Sequence, residues 1–124
     1  MGEYLKEIYE LQTEIHGVFK ELVKQEKGAH DDILDRMKKL WKLDEHKEDT
    51  IEEIQKNEGQ PSELKEDKAL IYLDIEGLKE IGKVIDEVQD RYHRLKHKYD
   101  ELYHLYEKQG KVAQERVNSS GQGE

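Results

Sequence analysis

From Leu64 to Tyr106 the chain keeps one unbroken seven-residue rhythm. Leu64, Ile71, Leu78, Ile85, Tyr92, Tyr99 and Tyr106 stand seven apart, and Ile81, Val88, Leu95 and Leu102 each follow a member of that series by three. Apolar residues at this spacing line one face of a helix, the seam along which a second helix packs. A lone helix cannot cover its own seam. The pattern commits the chain to helix-on-helix packing and demands a covering surface along all of residues 64–106.

Composition points the same way. Only 34% of the 124 residues are apolar and 41% are charged, well above the quarter or so that is charged in an average globular protein. That is too little apolar material for a thick core, but it suits helices that each bury a narrow stripe. A single Pro and a single Phe favour helix over sheet. The regular apolar spacing sets the chain apart from a disordered one of similar charge.

Three helices are predicted. The first covers Glu3 to Lys27, where Ile8, Leu11, Ile15, Val18 and Leu22 alternate steps of three and four. Gly28 ends it, since glycine takes the left-handed end conformation without steric cost. Asp31 and Asp32 supply the negative charge that favours a new helix start. The second helix carries Ile33, Leu34, Met37, Leu40 and Trp41, thins from Asp44 to Asp49, and resumes at Ile51 and Ile54. It is expected to be continuous to about Asn57, although Thr50 with Glu53 matches a capping box that would restart a helix. A loop follows at 57–61, with Ser62 as N-cap.

The third helix is expected to run from about Glu63 to about Lys111, on the order of 70 Å against roughly 40 Å for each of the others. Gly77 and Gly82 lie inside it without disturbing the phase, and read as points of close approach by another helix. The expected fold is all-α: an elongated antiparallel three-helix coiled-coil bundle with a long C-terminal helix, or a four-helix bundle if that helix breaks at Gly77–Gly82. Residues 1–113 form the domain, and the polar stretch 114–124 is expected to be a disordered tail.

The mismatch in length directs the functional reading. A hairpin of the first two helices covers only half of the third, leaving Tyr92, Leu95, Tyr99, Leu102, Tyr103 and Tyr106 as a partner-binding face. Tyr is enriched at interfaces, and repeated Tyr in a seam suggests hydroxyls at a half-wet margin. The expectation is a non-enzymatic protein-interaction module (an adaptor, chaperone, inhibitor or scaffold subunit) that also self-associates as a homodimer through this seam.

A metal-binding bundle is the alternative. Asp90, His93, His97, Asp100, His104 and Glu107 line one helical face with side chains that ligate divalent metals. That stripe lies opposite the seam, so it is expected to be a solvated face and no metal or other cofactor is assigned. A nucleic-acid-binding regulator is the third reading. Basic runs at Arg91, Arg94, Lys96 and Lys98, and at Arg36, Lys38, Lys39 and Lys42, would have to outweigh a net charge of −9. These runs are expected instead to meet the acidic segment Asp44–Asp67, which holds ten acids against three lysines. There is no Cys, so thiolate chemistry is excluded. No phosphate-binding loop, His-Glu-x-x-His or nucleophile motif is present. Neither a signal pattern nor a run of eighteen apolar residues occurs, and the expected location is cytoplasmic with no membrane contact.

Overall fold

The computed structural model describes residues 2–28, 30–58, 64–89 and 93–122, the side chains at 93, 94 and 120–122 excepted. The described residues form an all-α bundle of four helices: α1 (Glu3–Glu26), α2 (Asp31–Lys56), α3 (Lys65–Val88) and α4 (His93–Gln122). Each packs against the next and α4 packs back on α1. Tyr9 meets Gln55 and His16 meets Asp44; Arg36 meets Glu87 and Lys47 meets Asp74; Gln109 meets Gln12 and Tyr99 meets Glu26. On the fourth seam Asp74 lies against Gly110 and Gly77 against Tyr106; partner numbers fall as residue numbers rise at every seam, so all four neighbouring pairs are antiparallel.

Local signals explain most boundaries. Gly28 closes α1 with a φ of 83°, as a left-handed terminator should. Asp31 and Asp32 occupy the first turn of α2. That helix is continuous through Asp44–Asp49, and Thr50 does not cap a new one: its hydroxyl donates to the His46 carbonyl one turn back. Ser62, expected as an N-cap, lies outside the described residues. Of the basic runs, Arg36 binds Glu87, Lys38 binds Asp35 and Lys98 binds Glu21, each outside the acidic segment 44–67; Arg91 and the Arg94 side chain lie outside the described residues.

The long third helix is corrected. It does not exist as one rod, and it does not break at Gly77–Gly82, through which α3 runs as helix. The reversal lies between Val88 and His93. Val88 and Leu95 are both buried and seven residues apart, so the stripe keeps its phase across the reversal. Two antiparallel helices that each need a seam therefore spell the same heptads as one long helix. Folding back buries Leu95, Tyr99, Leu102 and Tyr106, each of which would otherwise forgo about 1.5–3 kcal/mol of burial. The polar stretch expected as a tail is helical as far as Gln122.

Gly77 is a point of close approach, as its place in the stripe suggested. A Cβ there would lie 3.2 Å from the Tyr106 ring. Gly82 is not, since a Cβ there would meet nothing within 4 Å.

The core is divided. One apolar cluster holds Ile15, Phe19, Leu22, Ile33, Met37, Leu40, Ile81, Val84, Val88, Leu95, Tyr99, Leu102 and Tyr106. A smaller one, at the other end, holds Leu5, Ile8, Ile51, Leu70 and Ala113. Between them every helix contributes a buried polar side chain: Gln12 from α1, Asp44 and Lys47 from α2, Asp74 from α3 and Gln109 from α4.

Candidate binding groove and polar layer

The face expected to bind a partner is the interior of the bundle. Tyr99, Leu102 and Tyr106 are almost fully buried, Leu95 is 6% exposed, and Tyr103 is half-buried; Tyr92 lies outside the described residues. The Tyr99 hydroxyl donates to Glu26 Oε1 at 2.6 Å. Burial, then the Glu26 carboxylate, pushes its ionisation far above the ordinary phenol range. The seam is covered from within the chain, which removes the ground for a homodimer through it. The His stripe points outward as expected: His97 and His104 are exposed, Asp100 and Glu107 partly so. His104 Nδ1 sits 3.6 Å from Glu107 Oε1. Asp90 and the His93 side chain lie outside the described residues.

The polar layer is built around two ion-pair systems. Lys47 Nζ and Asp74 Oδ1 stand 3.0 Å apart, each side chain 1% exposed, and neither makes a well-aligned hydrogen bond. Burial opposes both charges. It pulls the Lys47 amine down against the attraction of Asp74 and raises the Asp74 carboxyl to about 6. The Lys47 ammonium also lies 4.2 Å from the centre of the Tyr106 ring, a cation–π contact.

Asp44 anchors the second system. Its Oδ1 accepts from Gln12 Nε2, and Gln12 Oε1 accepts from Gln109 Nε2 at 3.2 Å, a chain from α4 through α1 to α2. Its Oδ2 lies 3.0 Å from His16 Nδ1, and Glu48 Oε1 lies 3.2 Å from the same nitrogen. These three side chains are the one group of metal-capable residues drawn together among the described residues. Glu48 is pushed up by burial first and then by the Asp44 charge beside it.

His16 and Glu48 also line a groove of about 690 Å³ between α1 and α2, with Tyr9, Gln12, Thr13, Gly17, Ile51 and Gln55. Of the four seams, α1–α2 is the most sparsely packed. Gly17 contributes no side chain, and a Cβ added there would touch nothing. At one end Trp41, 38% exposed, leans on His16 and Phe19 with ring centres 5.5 and 5.6 Å away. The charged lining is mixed: Glu48 and Glu52 on α2 stand with Lys56 on the same helix and Lys20 on α1, all four exposed.

Heptad spacing does not reveal this region, because the groove is marked by an interruption of the apolar stripe. Asp44 and Lys47 continue the α2 stripe Ile33, Met37, Leu40 in unbroken steps of three and four to Ile51, which was the available signal. No helix among the described residues is long and apolar enough to cross a membrane. No protein-family model, no curated protein sequence and no solved structure matches the chain.

Proposed function

We propose that this chain is a non-enzymatic protein-interaction module, of the adaptor or chaperone kind, that receives an amphipathic helix of a partner in the α1–α2 groove. The observation that carries the reading is the open α1–α2 seam. This seam, the most sparsely packed of the four, leaves about 690 Å³ between Tyr9, Thr13, Gly17, Ile51 and Gln55. From Tyr9 to Lys20 the groove follows α1 for about 16 Å, three turns of a docked helix. Its floor offers Tyr9 and Ile51 to an apolar stripe, the usual anchor of helix-in-groove recognition. The mixed rim, Glu48 and Glu52 with Lys20 and Lys56, favours an incoming helix with charges of both signs along its edges. A net charge of −9 disfavours a nucleic-acid partner.

The test places a photo-crosslinking amino acid at Thr13, at Gln55 and, as control, at exposed Tyr72 on α3. Adducts are expected from Thr13 and Gln55, on one segment of the captured protein. That segment, synthesised as a peptide, should bind the intact chain and lose at least tenfold in affinity against Gly17→Trp. Crosslinks from Tyr72 alone, or a peptide indifferent to Gly17→Trp, would overturn the proposal.

A further inference from the structure

We infer that His16, Asp44 and Glu48 form a binding site for one divalent transition-metal ion of the zinc type. The inference does not rest on the groove's having a protein partner.

The geometry is close to what such an ion needs. His16 Nδ1 is 3.0 Å from Asp44 Oδ2 and 3.2 Å from Glu48 Oε1, and the three donor atoms lie within 4.8 Å of one another. A tetrahedral ion with bonds of about 2.0–2.1 Å to nitrogen and oxygen separates its ligand atoms by about 3.3 Å. Two edges of that triangle are therefore within a few tenths of an ångström of their final lengths. Asp44 and Glu48 stand four apart on one face of α2, and His16 faces them from α1, so the set is held by two helices of the bundle. One imidazole with two carboxylates favours borderline ions over calcium or magnesium, which prefer all-oxygen surroundings.

Support behind the donors distinguishes this triad from a chance surface cluster. Asp44 is 1% exposed, and its second oxygen is fixed by Gln12, which Gln109 fixes in turn. Outer hydrogen bonds of this kind hold a ligand carboxylate in one orientation. The layer is also short of positive charge. The buried Asp44 and Asp74 share it with one lysine, and the Lys47 ammonium stands 3.0 Å from Asp74. Buried acceptors remain without a hydrogen-bond partner: both Asp74 carboxylate oxygens and Gln109 Oε1. A dication beside Asp44 offsets that excess. Glu48, 46% exposed in its side chain, opens the position to the groove and leaves the fourth coordination place to water. The outward stripe on α4 has no comparable backing, since His97 and His104 are exposed.

The experiment adds zinc chloride alone to the metal-free full chain, followed by calorimetry and by imidazole nitrogen NMR. One zinc per chain is expected, with His16 the most strongly shifted of the six histidines. Glu48→Gln and His16→Gln should each weaken binding at least tenfold. Both positions are partly exposed, so an unchanged circular dichroism spectrum will separate lost ligation from lost folding. No binding, undiminished binding in either folded variant, or shifts centred on His97 and His104 would overturn the inference.

Discussion

The α3–α4 and α1–α2 seams make the most instructive comparison in the molecule. Both join antiparallel helices through stripes of apolar residues, and both contain mid-helix glycine. On the α3–α4 side Gly77 lets the Tyr106 ring lie against the backbone, and Gly110 lies where a Cβ would be 3.4 Å from Asp74. The glycines there are filled by the neighbouring helix. On the α1–α2 side Gly17 faces nothing, and the missing side chain becomes groove. Helix-interior glycine costs about 1 kcal/mol against alanine. One seam recovers that cost in packing and the other leaves it as accessible surface.

The largest expected effect tests how closed the inner side is. Lys47 and Asp74 pair where α2 meets α3, each 1% exposed. Lys47→Met strands the Asp74 carboxyl and should cost about 3–5 kcal/mol at neutral pH, read by urea unfolding. Burial raises this carboxyl from 3.8 to about 6 in the folded chain even with Lys47 present. The unfolded chain therefore gives up the proton first as pH rises. The stability this group contributes is full below about pH 4 and lost as pH climbs through about 6. Removing the lysine takes away the attraction that limits the rise, so the variant should close the gap to the parent on acidification to pH 5. Adding Asp74→Leu should restore neutral-pH stability to within about 1–2 kcal/mol of the parent. A loss below about 1 kcal/mol for Lys47→Met would mean that water reaches the pair and that the inner seam is open too.

Gly77→Leu is the next effect in size. Its side chain would have to enter the space of the Tyr106 ring, 3.2 Å from the position of the first added carbon. Overpacking of this kind costs about 1–3 kcal/mol, and thermal unfolding should show it. Gly17→Leu, built into the groove, should cost nothing by the same measurement. Equal losses would erase the contrast between the two seams.

How much of this was legible in the sequence follows from where polar residues fall on the stripes. All-α packing and the ends of α1 and α2 were readable, because apolar spacing and Gly28 signal them directly. The reversal after Val88 was not. Gln89, Asp90, Arg91 and Tyr92 include no Gly or Pro, and the stripe crosses them in phase. In α3 the innermost positions are Asp67, Leu70, Asp74, Gly77, Ile81, Val84 and Val88. Three of the first four are not apolar, so the heptad spacing falls on the flanking series Leu64, Ile71, Leu78 and Ile85, which is only half-buried. The Tyr/Leu stripe of α4 was correctly seen to need cover, but nothing in spacing tells whether cover comes from another molecule or from the same chain. His16 stands in the sequence of α1 as an isolated imidazole. Its meeting with Asp44 and Glu48 depends on the pairing of α1 with α2, and on extending the α2 stripe through its polar residues instead of stopping at them.

The smallest expected effect sharpens the comparison most. Gly17 and Gly82 are both helix-interior, and both have nothing within 4 Å of an added Cβ. They differ in place: Gly17 lines the α1–α2 groove, and Gly82 sits on α3 away from it. Gly82→Ala should raise stability by roughly 0.5–1 kcal/mol from helix propensity alone. Gly17→Ala should gain the same amount if the groove stands open in solution, because the new methyl group then meets only water. If α1 and α2 instead close over the groove for part of the time, the methyl group obstructs that closure and the gain falls short of the Gly82 value. The difference between the two alanine variants, measured by chemical unfolding under one set of conditions, therefore reads the openness of the seam with helix propensity cancelled. Equal gains keep the groove as a standing feature of the free chain, whereas a net loss at Gly17 would show the α1–α2 seam to be as closed as α3–α4.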